Sequence, residues 1–478
     1  SLKPLSLVQD SIPAWDHMNY IKAGIGNFHQ PFIKAGFSLA SSNNKQLNFY
    51  ADHYIAKGKL DFQKNNLTKV GVYGTALTEG NKEWSGKLAF ANDLYFLYGY
   101  LPSVITYSKD QLRQPFRTWE GMIRFQNKVP TPFGLTYDPS LHVNLFSNTQ
   151  GLKANEANTV LNLPLTKYLG PTVDLQLSFS ADLTRYQLSG EGITNSWLNN
   201  IYSIGPKLNY KAENVFIQAG IKPSWDNGVF HMLPNLMADI STSDRRFTFQ
   251  LGWIGYFQKG SYQRLAGINP WLAKPIPDLN NINGLPNTRV EERFAGFKGS
   301  LDKHFSYSAK AGFLKYSNVP LFVNDKFDGK TFLIIFEPGM QALQLHGELM
   351  YVSGETFNAY AKLNWNQYSK LKQEAKAWGL LPLELNGGFR WMILKDLWLR
   401  TDLWAWSGPQ FKNKFDQSFR GSGGFDLNTG VEFQVSRHFN FWMQLNNILN
   451  GRNERWSQYQ SYGFHFLGGI TYSFSQEK

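Results

Sequence analysis

Cysteine is absent from the 478 residues, which excludes a disulfide scaffold and makes a cytosolic enzyme of this length less expected. Long apolar runs are missing too. The longest strongly apolar stretches, residues 332–336 and 391–394, fall far short of the roughly 20 residues that a spanning helix needs. There is no basic block either: the net charge is +12, yet the cations are scattered, with no run longer than Arg245-Arg246. A nucleic-acid footprint should concentrate on one element, so no nucleic-acid partner is expected. The chain also lacks an initiator Met and a charged-then-apolar leader, so it reads as a processed or trimmed product. What is abundant is aromatic surface. Phe, Tyr and Trp make up 16% of the chain, while hydrophobic residues total only 42%. That composition suits a sheet with one apolar face and two aromatic belts better than a large dry core.

The order of the residues supports the same reading. From Tyr462 to Phe474 every second residue is apolar or Gly: Tyr462, Phe464, Phe466, Gly468, Ile470, Tyr472 and Phe474. A period of two places that set on one face of a strand. The pattern recurs at Val173–Leu183, Phe247–Trp253, Leu343–Tyr351, Leu383–Trp391 and Leu397–Ala405. One face is lipid-like and the other carries charges beside polar and aromatic groups, as in membrane strands around a polar lumen.

The joins alternate as well. Tight turns fall at Leu169-Gly170, Ala212-Glu213, Ser243-Asp244, Lys303-His304, Ser353-Gly354, Lys395-Asp396 and Ser436-Arg437. Longer joins are expected at 100–114, 189–199, 258–292, 316–339, 367–381, 407–423 and 451–458. Short turns at one end and long loops at the other predict an all-β chain: a closed antiparallel transmembrane β-barrel of about 22 strands, within a range of roughly 16 to 22. Its short turns are periplasmic and its long loops extracellular. Residues 18–478 form the barrel, and residues 1–17, interrupted by Pro4 and Pro13, form a periplasmic lead-in.

The search for chemistry returns little. His17, His29, His142, His231 and His438 are isolated, whereas metal sites need clustered ligands. Asp325-Lys-Phe-Asp328-Gly329 lacks the dense carboxylates of a calcium loop and reads as an Asp-Gly turn. Gly421-Ser-Gly-Gly424 precedes a strand rather than a helix, so it is not a phosphate cradle. No Gly-x-Ser-x-Gly elbow occurs. The expectation is a chain with no catalytic residues, no metal and no cofactor. The lumen holds the remaining candidates: Glu384, Arg390, Arg400 and Asp402 on two consecutive strands, beside Trp398 and Trp404. They read first as a wall network of mutually neutralising charges and second as a constriction or substrate contact.

The stretch 441–450 with its Asn446-Asn447, the loop aromatics Trp456 and Tyr459, and the final run 463–474 ending in Phe474 together resemble the closing strands of TonB-dependent receptors. The resemblance implies a 22-stranded barrel around a plug, whose last strand (Tyr462, Phe464, Phe466, Ile470, Tyr472, Phe474) carries the barrel-insertion signal. Strand-like sequence already begins at Tyr20, which leaves no room here for an ordinary plug. The expected function is therefore a non-enzymatic accessory subunit of an outer-membrane complex, with outer-membrane protein assembly the specific expectation. The alternative is a solute channel, or a TonB-dependent nutrient transporter whose plug is missing from this chain. Expected partners are outer-membrane lipid and lipopolysaccharide, with other outer-membrane or periplasmic proteins. Loop aromatics such as Trp271, Phe322 and Phe327 are expected to be exposed for protein contact.

Overall fold

The computed structural model describes residues 19–27, 30–42, 44–100, 104–190, 192–244, 246–277, 284–354 and 356–475. The lead-in expected at 1–17 lies outside them. Strands run in chain order from Asn19–Gly26 to His465–Phe474, each antiparallel to the next. The sheet contains 23 strand pieces. Two of these, Leu135–Tyr137 and Ser140–Asn148, both pair with Lys153–Tyr168 and make one interrupted strand, so the barrel has 22. It closes where Asn19 lies opposite Phe474 and Gly26 opposite Leu467. Closure leaves no edge with unpaired backbone groups, which is the condition for a sheet to sit in hydrocarbon.

The alternation read from the sequence sets the register. In the final strand Phe466, Ile470 and Tyr472 are exposed on the outside, while Leu467, Thr471 and Ser473 are buried toward the lumen. Strand Leu383–Leu394 pairs with Leu397–Trp406 so that Gly387 faces Leu403 and Trp391 faces Leu399 on the outer wall. Leu383, Leu385, Leu399 and Leu403 share this outer face with exposed Trp391. Strand Arg113–Asn127 shows the layering of the wall. Its outward residues run Arg113, Arg117, Trp119, Gly121, Ile123, Phe125, with Trp119 against Phe90 and Phe125 against Trp84. Phe125 and Trp84 belong to the aromatic girdle of the turn end, and Trp119 with Phe90 lies six residues further up the outward face.

All seven tight turns expected from the sequence fall between strands at one end, where joins are two to seven residues long. The last strand reaches this rim, the turn end, at Phe474. At the other end, the joins 97–112, 259–287, 318–339, 370–382, 407–423 and 447–464 are long.

Two expectations need correction. No long join exists at 189–199. Strands Val173–Gly190 and Ile193–Lys211 pair without interruption from Val173↔Tyr210 to Gly190↔Ile193. The run from Ser189 to Ser196 is rich in Gly, Ser, Thr and Asn, which resembles a loop. Here those residues stand high on a tall hairpin and need no lipid-facing alternation. Second, the last strand begins at His465, so Tyr462 and Phe464 precede it. The Asn447 side chain donates to the Tyr462 carbonyl (2.7 Å), and the Asn450 carboxamide oxygen accepts from the Phe464 amide (2.9 Å), so this segment belongs to the loop.

Candidate functional site

The long loops do not stand away from the barrel; they fold over its mouth and pack on one another. Loop 259–287 carries the one helix among the described residues, Tyr262–Ile268. Its start is dictated locally: the Ser261 side chain accepts from the Arg264 amide at 3.1 Å, an N-cap. The barrel wall completes the job. The buried Glu156 carboxylate, on strand Lys153–Tyr168, accepts the amides of Tyr262 (2.6 Å) and Gln263 (3.1 Å). A carboxylate satisfying two orphan helix amides is a charge-assisted clamp. Beside it Gly260 permits a close approach, because a Cβ there would lie 2.2 Å from the Pro286 carbonyl oxygen.

Around the helix lies the largest apolar cluster. Wall residues Phe116, Phe146, Tyr186 and Trp197 meet Tyr262 and Leu265 of loop 259–287. On its far side the cluster takes in Phe322 and Phe332 from the hairpin Val319–Asn324/Phe332–Glu337. Phe411, from the hairpin Gln410–Lys412/Ser418–Arg420, and Trp456 and Tyr459, from loop 447–464, complete it. Trp271 stacks on Tyr459 with centroids 3.9 Å apart, and Leu272 bridges Phe332. Loops rising from well-separated strands are thereby joined into a cap across the lumen. Aromatic pairs of this kind contribute about 0.5–1.5 kcal/mol each beyond their buried area. Of the three loop aromatics expected to be exposed, only Phe327 is. Phe322 is buried and Trp271 is half-buried in the cap, because aromatics that would face water across an open mouth face each other instead.

Polar clamps hold the rest of the cap. The fully buried Glu337 carboxylate accepts the amides of Gly339, Lys372, Gln373 and Glu374, tying loop 318–339 to loop 370–382. Burial opposes its ionisation, but the four amides outweigh that and hold it below the ordinary value. The Asp325 carboxylate accepts the Phe327, Asp328 and Thr331 amides, and Gly329 has φ +74°, so this segment is the Asp-Gly turn expected. Tyr107 donates to buried Asp328, which also pairs with Lys330 at 2.9 Å.

Among the described residues of the cap, Arg455 is the charged side chain with buried nitrogens that lack partners. Arg455 donates from one terminal nitrogen to the Gly379 carbonyl (3.0 Å) and lies over the Trp456 ring (4.4 Å). Its Nε and other terminal nitrogen are buried without hydrogen-bond partners, as are the indole nitrogens of Trp456 and Trp406. Burial lowers the guanidinium to about 10, with Glu384 and Tyr368 acting in the opposite direction. Buried donors normally find acceptors, and leaving one without costs about 1–3 kcal/mol. The Arg455 guanidinium is therefore the candidate binding group beneath the cap.

The four lumen candidates are all inward but do not converge on this place. Glu384, at the loop end, accepts from the Trp404 indole (2.8 Å) and is the one that reaches the Arg455 environment. Asp402 is 2% exposed and accepts from Arg400 Nε (3.1 Å) and the Tyr360 hydroxyl (3.4 Å). Arg390 lies opposite Arg400 and over the Trp398 ring at 5.5 Å. Arg400, Asp402 and Arg390 thus form part of a wall network. Sequence reasoning missed Arg455 and Glu156. Arg455 adjoins Trp456, one of the aromatics singled out, but nothing local marks either residue as buried.

Lys274 offers a handle on the cap. Its ammonium donates to the Gln150 carbonyl (2.7 Å) on the opposing hairpin, and burial lowers its pKa from 10.5 to about 8. The folded value lies below the unfolded one, so charging this lysine disfavours docking at neutral pH. That penalty is relieved as pH rises from about 8 to 10.5, where the docked state has already released its proton. Hydrogen exchange at the Leu272 and Ala273 amides, corrected for intrinsic rate, should show protection rising across this window. Lys274→Met should be protected at pH 7 and flat thereafter.

A closed 22-stranded barrel with an apolar outer wall, an aromatic girdle, short turns at one rim and long loops at the other is an integral outer-membrane β-barrel. Its turn end is then periplasmic and its capped end extracellular. The chain matches no protein-family model, and a search of curated proteins finds no match. Solved structures do resemble it. The FrpB iron transporter from Neisseria meningitidis aligns with TM-score 0.72 and 8% identity, over 95% of this chain and 81% of that one. The siderophore receptor PirA from Acinetobacter baumannii aligns with TM-score 0.72 and 9% identity, over 95% and 80%. The copper transporter OprC aligns with TM-score 0.67 and 11% identity, over 96% and 80%. The chain shares the barrel fold of these structures.

Proposed function

We propose that the protein is a gated outer-membrane transporter, without enzymatic activity, in which the loop cap closes over an acceptor-rich solute bound at Arg455. The observation that carries this reading is the buried guanidinium with two nitrogens lacking acceptors, inside a cap that spans the mouth. The neutral indole donor of adjacent Trp456 extends the same chemistry. The similar structures include iron and copper transporters and siderophore receptors, so metal chelates rich in oxygen acceptors are the first solutes to try. This support favours transport over the accessory role in outer-membrane protein assembly.

The test is binding, followed by quenching of tryptophan emission in the purified protein, with ferric catecholate, ferric hydroxamate and cupric chelates. At least one should bind, and Arg455→Gln should weaken it by roughly 10- to 100-fold, the value of hydrogen bonds to a charged group. Equal binding by Arg455→Gln, or no binding by any chelate, would count against the reading. Co-purification with assembly-machinery subunits and cross-linking to nascent barrels would favour the accessory role.

A further inference from the structure

On the outer wall, at the extracellular rim, the register sets cations side by side. Lys57 lies directly opposite Lys64, both on the outward face with Ile55 and Asn66. Lys64 lies over the Phe96 ring at 4.7 Å, and Phe96 pairs with Arg113. Across four adjacent strands this gives one row about 15 Å wide, with cations on three of them and Phe96 on the fourth. Lys109 descends onto it from loop 97–112 and, with Lys64 and Arg113, lines a pocket of about 340 Å³. The floor of that pocket is apolar: Ile55, Leu94 and Phe96.

This arrangement is costly by itself. Like charges directly opposite on a sheet destabilise it. The pocket holds a single carboxylate, Asp110, which reaches Arg113 only at 3.8 Å. Depth supplies the second argument. Arg117 and then Trp119, which is 60% exposed, follow Arg113 down the outward face. Twelve residues separate Arg113 from Phe125 at the turn end, about 30 Å of height for a strand tilted by 35–45°, which sets the basic row at the outer headgroup level. Beneath it a second furrow, lined by Val72, Leu88, Ile123 and Leu141, opens where Gly74, Gly86 and Gly121 lack side chains.

We propose that this row binds the phosphorylated headgroup of an outer-leaflet glycolipid, of the lipid A type, with its phosphates on Lys57, Lys64, Lys109 and Arg113. Its acyl chains lie on Ile55 and Leu94 and continue into the furrow below. The apolar floor and the position at headgroup depth select a lipid-borne phosphate over a free one. The anion offsets the Lys57–Lys64 repulsion and pins the base of loop 97–112 to the membrane surface. The site is independent of the solute reading at Arg455.

The full chain in detergent micelles, titrated with bis-phosphorylated lipid A and followed by native mass spectrometry, tests this. The double variant Lys64→Gln/Arg113→Gln should bind about 25-fold more weakly, at about fivefold per cation. Lipid A stripped of phosphate should bind the unaltered protein as weakly, and inorganic phosphate should not compete. Lys57→Gln separates binding from folding. It should lose about fivefold in lipid A affinity yet unfold at a higher temperature in micelles without lipid A, because the like-charge pair is gone. Three results would overturn the proposal: unchanged lipid A binding in the double variant, equal binding of dephosphorylated lipid A, or displacement by inorganic phosphate.

Discussion

Replacing residues 262–277 with a short Gly-Ser linker is expected to turn a barrel with little resting conductance into a large, weakly selective pore. That segment holds the helix, Trp271 and Leu272, and it contacts both the wall through Glu156 and the far loops through Phe332 and Tyr459. Removing it takes out the centre of the cap while leaving every wall strand and turn in place. Barrels of 16 to 18 strands already hold aqueous channels, so one of 22 without its obstruction should conduct at least as well. Glu156→Leu should produce a milder form, with frequent openings, because two helix amides then lose their buried acceptor. Single-channel recording in planar bilayers reads both. A pore as quiet after excision as before would mean that something other than this loop closes the lumen.

Leu403→Arg is expected to cost about 2–4 kcal/mol of stability in lipid, the value for an arginine on the lipid face near the midplane. Leu403 lies opposite Gly387 on one side and Leu427 on the other, on the outward apolar face midway along its strand. A cation there has no acceptor and no water. The neighbouring substitution Arg400→Leu acts on the other face, where Arg400 pairs with buried Asp402. Both can be measured by reversible unfolding in liposomes. An unaffected Leu403→Arg protein would mean that the facing of this sheet is reversed.

These expectations rest on features that were legible in the sequence to very different degrees. Strand facing was readable because lipid on one side and a polar lumen on the other impose a period of two, as in 466–474 and 397–405. The turn end was readable because pairs such as Lys395-Asp396 interrupt that period sharply, and Asp396 takes the positive φ of 65° that such a turn requires. The tall hairpin over 189–199 was not, since above the bilayer a strand has no lipid side and its small polar residues look like a loop. The cap was least legible. Whether Trp271 or Phe322 faces water or another loop depends on partners more than a hundred residues distant, such as Tyr459 and Trp456. The same holds for Glu156 and Arg455, whose roles come from loop placement. The members of the Glu384–Asp402 set are divided between a wall network and the edge of the Arg455 site.

The claim that the cap is the gate is tested most directly by locking it. The chain has no cysteine, so Gln150→Cys with Lys274→Cys introduces the only thiols, at a point where loop 259–287 already touches the opposing hairpin. A short bis-methanethiosulfonate cross-linker then ties loop to wall through reducible bonds. The cross-linked protein is predicted to stay closed in planar bilayers under voltages that open the reduced form, and reductant should restore the openings. Equal conductance in the cross-linked and reduced states would contradict the account.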